Sequence, residues 1–236
     1  MRRKAFKAAL PYTLPVFMGY LFLGIAFGVL LSSKGYHAGW ALLMSTTVYA
    51  GSMQFVAIDL LTSPFNLINA LIVTLTVNAR HLFYGLSMLD KFKISGKLKP
   101  YMIFSLTDET YSLLCSTEPP EGINKKWFMF FVAILDQSYW ILGGLIGNAA
   151  GTVFTFDPTG IDFAMTALFI VIFVEQWEGT KQHIPALLGL GITMICLVVF
   201  GTENFIIFSM IGIFLCLTLL RSRLAADNLK VKEETI

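Results

Sequence analysis

The residues best able to do chemistry in this sequence are charged side chains that interrupt long apolar runs. Two adjacent pairs and one single carboxylate stand out: Arg80 with His81, Asp108 with Glu109, and Asp136. An ionisable side chain within a membrane span costs about 2.5–3.5 kcal/mol on insertion scales, so it persists where it is paired, hydrated or functional. Carboxylates at this depth, beside an arginine, suit the binding of a charged solute or the transfer of a proton.

Arg80 has two interpretations. It lies ten residues before Asp90, about 15 Å from that end of its helix, so its side chain does not easily reach the interface. Tyr84 shares its helix face by i, i+4 spacing, and Asn78 is within reach of a neighbouring helix. The guanidinium could hold a substrate carboxylate with two parallel hydrogen bonds, or it could form a structural ion pair with another helix.

The two adjacent carboxylates point in different directions if their apolar run is one helix. Ser105, Asp108 and Ser112 then form one polar stripe, and Glu109 lies about 100° round the helix axis. One carboxylate could neutralise Arg80 while the other titrates. Alternatively, both are structural partners of the basic residues in the preceding run.

Other polar side chains complete the predicted substrate and ion pathway. Two uncharged glutamines within apolar runs can hydrogen-bond a substrate or hold an unwound backbone. The pathway candidates are therefore Gln54, Asn78, Arg80, His81, Tyr84, Asp108, Glu109, Asp136, Gln137 and Gln176. The histidines are too scattered for a metal site, and we predict no catalytic residue, metal or cofactor.

Composition places these residues in a membrane protein. The 236 residues are 56% hydrophobic and 14% charged, with a mean hydropathy of +0.71, whereas soluble domains are about 25% charged. A chain this apolar must use lipid as part of its solvent. No loop is both basic and long enough to follow a phosphate backbone, so we predict no nucleic-acid partner.

Eight apolar runs approach the length of about 20 residues that a span needs. They are roughly 12–31, 40–61, 66–89, 101–116, 127–151, 162–177, 184–200 and 204–220. We therefore predict an all-α polytopic membrane protein with six to eight hydrophobic helices. Residues 1–220 are predicted to form a single integral membrane transport domain, and residues 221–236 a charged cytoplasmic tail.

Lysine and arginine positions favour six full crossings over eight. With eight crossings and the N-terminus inside, the four lysines of loop 90–100 fall outside, and the inside and outside counts are 11 and 5. If runs 40–61 and 162–177 each enter and leave by one side, the counts become 13 and 3, with Arg80 inside a span. This model makes those runs re-entrant or broken and places both termini in the cytoplasm.

A faint internal repeat indicates the same architecture. Each copy has a GxxxG pair, a further glycine and then a glutamine 15 or 16 residues later. The copies begin at Gly24 and Gly143 and end at Gln54 and Gln176. One extra span separates them, so the copies would be inverted, as in many secondary transporters.

Several local strings resemble the AzlC family of branched-chain amino acid exporters. They are PVFMGYLFLGIAFG from residue 15, YAGSMQF from 49, NARHLFYG from 78, TDET from 107 and LDQSYW from 135. The resemblance covers nearly the whole chain. It implies a secondary transporter, driven by the proton-motive force, that exports leucine, isoleucine, valine and their analogues across the bacterial cytoplasmic membrane. It also implies a separate small membrane subunit of the AzlD type.

The residues are compatible with such a substrate. Arg80 or the amides of an unwound helix could bind the carboxylate. One of the three carboxylates could bind the ammonium group, and apolar side chains such as Met53, Phe55 and Phe83 could surround the aliphatic part.

Two other functions compete with transport by this chain. A channel-like or scaffold subunit whose partner carries the transport predicts that the three intramembrane carboxylates can be replaced by amides without loss of activity. An intramembrane hydrolase could use Ser52 with His81, but no oxyanion-hole signature accompanies them. We therefore predict that the chain is not an enzyme.

Cysteine labelling tests the topology. In a variant lacking Cys115, Cys196 and Cys216, Lys97→Cys should react only from the cytoplasmic side and Glu121→Cys only from outside, as six crossings require. The measurement is modification by an impermeant maleimide in intact and inverted membranes. Eight crossings exchange the two results, so the two positions control for each other.

Overall fold

The computed structural model describes residues 1–64, 66–153, 163, 166, 170, 173–174, 177–178 and 182–233. Every regular element in this part of the chain is helical, so the predicted all-α class is confirmed. The chain divides into two compact units, Met1–Thr166 and Ala167–Ile236. Gln176 and most of run 162–177 lie outside the described residues. The assignment of 1–220 to a single transport domain stays a prediction.

The first unit contains seven α-helices and one 3₁₀ helix among its described residues. They are α1 Arg2–Ser33, α2 Ala38–Thr47, α3 Gly51–Thr62, α4 Leu67–Ser87, the 3₁₀ helix Lys91–Leu98, α5 Lys99–Phe104, α6 Asp108–Ser116 and α7 Lys125–Val153. The second unit contains α8, Ile184–Glu233. Two helical segments of α8 meet at Gly201, whose φ is 68°.

Three described helical segments are long and apolar enough to cross a membrane: α1, α7 and Ile184–Gly201. Helix α4 has 21 residues, but it carries Arg80 and His81. The number of crossings and the inverted repeat therefore stay predictions.

Helices α1 and α7 pack with their backbones in contact. A Cβ added to Gly24 would lie 3.0 Å from the Cα of Gly143, and one added to Gly147 would meet the backbone of Ile25. Aromatic side chains flank this contact, with the rings of Tyr20 and Trp140 5.4 Å apart. The GxxxG pairs of α1 and α7 therefore let the two backbones approach closely.

Run 40–61 is broken in its middle. Helix α2 ends at Thr47 and α3 begins at Gly51, and between them Tyr49 has a φ of 42°. A left-handed backbone is unusual for a bulky residue and ends the α-helix there. The break falls within run 40–61, which we predicted to be re-entrant or broken.

Run 101–116 is also broken, and here the prediction of one continuous helix is wrong. A three-residue break separates α5 from α6. Thr107 ends the break because its Oγ1 accepts a hydrogen bond from the Thr110 amide at 3.4 Å, which caps α6. The polar stripe predicted through Ser105, Asp108 and Ser112 therefore does not form, since Ser105 precedes the helix that carries the other two.

The predicted tail is helical over most of its length, and its assignment as a cytoplasmic tail stays a prediction. Helix α8 continues to Glu233, so the tail predicted from residue 221 begins within a helix. The local sequence RSRLAADNLKVKE is rich in leucine, alanine, lysine and glutamate, which have high helix propensity.

Gly147→Ala should lower the Tm of the detergent-solubilised protein. The added methyl group meets the α1 backbone at Ile25, which has no flexible end to move, and overpacking typically costs about 1–3 kcal/mol. Gly19→Ala is the matched control on α1, since nothing lies within 4 Å of its added Cβ. An equal Tm for the two variants would contradict backbone contact between α1 and α7.

Candidate functional site

Arg80 joins the two helix breaks. Its Nη2 donates to Ser52 Oγ at 2.7 Å in the first turn of α3, and its Nη1 lies 2.6 Å from Asp108 Oδ2 at the start of α6. The Arg80 and Asp108 side chains are 27% and 12% exposed. The sequence allowed two interpretations of Arg80, and the structure shows one of them, an ion pair with Asp108.

The other polar residues of α4 lie on either side of this ion pair. Tyr84 stacks on Tyr111 of α6 with ring centroids 4.5 Å apart, and the His81 ring meets Tyr84 edge-on at 5.8 Å. Asn78 donates from Nδ2 to the Thr74 carbonyl at 3.0 Å. The predicted pathway residues of this helix therefore fall in one region, between α3 and α6.

A cleft of about 210 Å³ lies where the two breaks meet α4. Its lining combines polar and apolar side chains and consists of Val48, Tyr49, Ala50, Asn78, His81, Ile103, Phe104 and Leu106. Asn78 Oδ1 has no hydrogen-bond partner among the described residues. Ala50, at the N-cap of α3, supplies no side-chain acceptor for that helix. The cleft therefore suits a small solute with an apolar body and charged ends.

The adjacent carboxylates have different partners, as the sequence predicts. Asp108 pairs with Arg80, whereas Glu109 Oε2 accepts a hydrogen bond from Tyr20 Oη of α1 at 2.7 Å. The same Tyr20 hydroxyl lies 2.5 Å from Thr107 Oγ1. Glu109 is thus connected to the residue that caps its own helix.

Asp136 of α7 is fully buried. Its Oδ2 accepts a hydrogen bond from Thr110 Oγ1 at 2.7 Å, and Thr110 Oγ1 lies 3.1 Å from Thr107 Oγ1. Its Oδ1 has no hydrogen-bond partner in the described part of the chain. Hydroxyl groups alone therefore connect Asp136 to Glu109.

The two described glutamine candidates hold helices together. Gln54 accepts a hydrogen bond from Trp140 Nε1 at 2.8 Å, and Gln137 accepts one from Tyr101 Oη at 2.7 Å. Gln137 also donates to the last turn of α2. Neither residue lines the cleft, so the structure gives them packing roles. Gln176 lies outside the described residues.

Sequence reasoning missed the hydroxyl groups. Tyr49 lines the cleft, and Tyr20, Thr107 and Thr110 connect the carboxylates. A threonine followed by two acidic residues, as at Thr107, is typical of a helix start. The apolar run around it nevertheless predicted one uninterrupted helix. Tyr20 carries no local signal because its partner is 87 residues away.

A double-mutant cycle tests the ion pair. Arg80→Gln and Asp108→Asn should each destabilise the protein, because each leaves the other charge without its partner. The pair should show a coupling free energy of about 1–3 kcal/mol, typical of contacting charged residues, measured by unfolding in detergent.

The exposed pair Lys93–Asp90, 2.7 Å apart with side chains 73% and 88% exposed, is the matched control. Its cycle, with Lys93→Gln and Asp90→Asn, should give about 0–1 kcal/mol. A coupling for Arg80 and Asp108 no larger than this would show that the pair does not hold the breaks together.

Comparison with known proteins places this arrangement in a family. The AzlC protein family model matches residues 15–154. The chain is 49% identical over 227 residues to a Bacillus subtilis (strain 168) protein named branched-chain amino acid transport protein AzlC, covering 96% of this chain and 89% of that one.

Two further relatives are membrane proteins. An uncharacterised membrane protein of Helicobacter pylori (strain J99) is 47% identical, with 94% of this chain and 97% of the relative covered. The Escherichia coli (strain K12) inner membrane protein YgaZ is 25% identical, with 77% and 79% covered. No solved structure matches the chain. The matched family region contains both helix breaks, the cleft and the carboxylates, and the chain is a membrane protein of the AzlC family.

Proposed function

We propose that the chain is a secondary transporter that exports branched-chain amino acids across the bacterial cytoplasmic membrane. The main support for this proposal is 49% identity, along 96% of the chain, to a relative named as a branched-chain amino acid transport protein. The cleft supports the proposal, because transporters commonly bind substrates where discontinuous helices present their N-termini.

The substrate carboxylate would bind at the N-terminus of α3. The first amides of that helix have no side-chain cap from Ala50, and a helix N-terminus favours an anion. Arg80, bound to Ser52 in the same turn, adds positive charge there. Because Asp108 and Ser52 already occupy both terminal nitrogens of the guanidinium, we assign the carboxylate to the amides instead of to Arg80 itself.

The rest of the cleft fits the rest of the amino acid. Asn78 Oδ1, an acceptor without a described partner, would accept a hydrogen bond from the ammonium group. Val48, Ile103, Phe104 and Leu106 would surround a branched aliphatic side chain, and burial of such a side chain contributes about 1.5–3 kcal/mol.

We further propose that export is coupled to protons and that the chain is the large subunit of a two-component system. The buried carboxylate of Asp136 supports a proton site, since a desolvated carboxylate binds a proton more readily than one in water. The family resemblance supports a small partner of the AzlD type, and the distribution of lysine and arginine supports cytoplasmic termini.

Efflux of leucine tests the function. Cells lacking their own exporters are loaded with a leucine-containing dipeptide, and released leucine is followed with this chain alone, with its small partner, and with Asp108→Asn. We expect faster export with both chains together. Asp108→Asn should reduce it about tenfold, as expected for the loss of about 1.4 kcal/mol of favourable interaction.

Two controls separate substrate recognition from protein damage. Asp90→Asn neutralises an exposed carboxylate and should leave efflux unchanged, whereas Leu106→Trp should block the cleft. Unchanged efflux of leucine, isoleucine and valine on expressing the chain with its partner would overturn the branched-chain assignment. Full activity of Asp108→Asn would favour a scaffold subunit.

A further inference from the structure

Four hydrogen-bond contacts connect Glu109 to Asp136 through three hydroxyl groups. In order, Glu109 Oε2 lies 2.7 Å from Tyr20 Oη, Tyr20 Oη 2.5 Å from Thr107 Oγ1, Thr107 Oγ1 3.1 Å from Thr110 Oγ1, and Thr110 Oγ1 2.7 Å from Asp136 Oδ2. Helices α1, α6 and α7 all contribute. The three hydroxyl residues and Asp136 are all buried, and none is more than 6% exposed.

The number of protons available to this series of hydrogen bonds determines the charge of the two carboxyl groups at its ends. Each hydroxyl group has one proton to donate, so the three hydroxyls supply three protons for four contacts. If both carboxyl groups were ionised, one pair of buried oxygens would face each other at bonding distance with no proton between them. If both were protonated, one of the five protons would have no acceptor among these four contacts. One shared proton satisfies all four contacts.

We propose that Glu109 and Asp136 share a single proton and that Tyr20, Thr107 and Thr110 form a relay that moves it between them. The transport role of this relay rests on the proposed function, whereas the shared proton does not.

The transfer balances at every oxygen. The Glu109 O–H bond breaks as its proton binds Tyr20 Oη, and the Tyr20 proton passes to Thr107 Oγ1. The Thr107 proton passes to Thr110, and the Thr110 proton binds Asp136 Oδ2. One O–H bond breaks and one forms at each hydroxyl, no electron is transferred, and the negative charge moves from Asp136 to Glu109. Rotation of the three hydroxyl groups then restores the original direction of the hydrogen bonds.

The surroundings of the two ends differ, which gives the proton two distinct sites. Glu109 is partly exposed and lies beside the Arg80–Asp108 ion pair at the start of α6. Asp136 is fully buried, and its Oδ1 has no described hydrogen-bond partner. The other titratable groups that interact with these two ends are Tyr49, between α2 and α3, Tyr84 of α4 and Tyr101 of α5. A proton held at Asp136 is therefore more enclosed than one held at Glu109.

Infrared spectroscopy tests the shared proton without any substrate. At neutral pH the purified wild-type protein should show the carbonyl-stretch band of a protonated carboxyl group, shifted in D₂O. The band should be missing in the double variant Glu109→Gln with Asp136→Asn. If the double variant does not fold, each single variant should weaken the band, since its amide can donate the fourth proton. An unchanged band in these variants would overturn the shared proton.

Transport in proteoliposomes tests the relay. Wild-type protein with its small partner is reconstituted, and leucine transport driven by an imposed pH gradient is compared with leucine counterflow without a gradient. Tyr20→Phe keeps the ring but removes the hydroxyl next to Glu109, so pH-driven transport should fall relative to counterflow by about tenfold or more.

Tyr139→Phe is the matched control, because it removes a tyrosine hydroxyl outside the relay that contacts Thr13 at 3.1 Å between α1 and α7. Its ratio of pH-driven transport to counterflow should equal that of the wild type. An equal ratio in Tyr20→Phe as well would overturn the relay. If the wild type moves no leucine at all, the proposed function fails, and the infrared result alone decides the shared proton.

Discussion

The first unit depends on a positive charge that cannot be left unpaired in an apolar environment. Arg80 contacts two polar partners, Ser52 and Asp108, in the first turns of helices that begin after a break. One guanidinium therefore holds two interrupted helices together, although each helix alone is short. Because the breaks are held together, the residues that line them face one cleft, and the free amides of an uncapped helix start lie at its edge.

The acidic residues near this point have separate tasks. Asp108 balances Arg80, whereas Glu109 and Asp136 have only hydroxyl partners on the path between them. With one proton shared, the ion pair is neutral and a single negative charge remains among these groups. That sign favours the ammonium end of a zwitterionic solute, and the helix start favours the carboxylate end.

Local patterns predicted much of this site, and long-range contacts account for the rest. The apolar runs follow from composition, the interruption of run 40–61 from the lysine and arginine count, and the glycine contact from GxxxG spacing. An ion pair was one of two interpretations of Arg80, and only the fold selects Asp108 over Glu109, because the start of α6 turns them toward different helices. The break before Asp108 was missed since apolar residues flank it, and Tyr20 meets Thr107 across 87 positions of sequence.

The glycine contact between α1 and α7 also limits how the protein moves. Helices whose backbones touch cannot slide past one another without collision, because no side chain between them can change rotamer to make room. Helices α2 to α6 are joined to this pair largely through side chains, which can exchange partners. In an alternating-access cycle, α1 and α7 would therefore keep their positions relative to each other. The interrupted helices would be the elements that move to open and close the cleft.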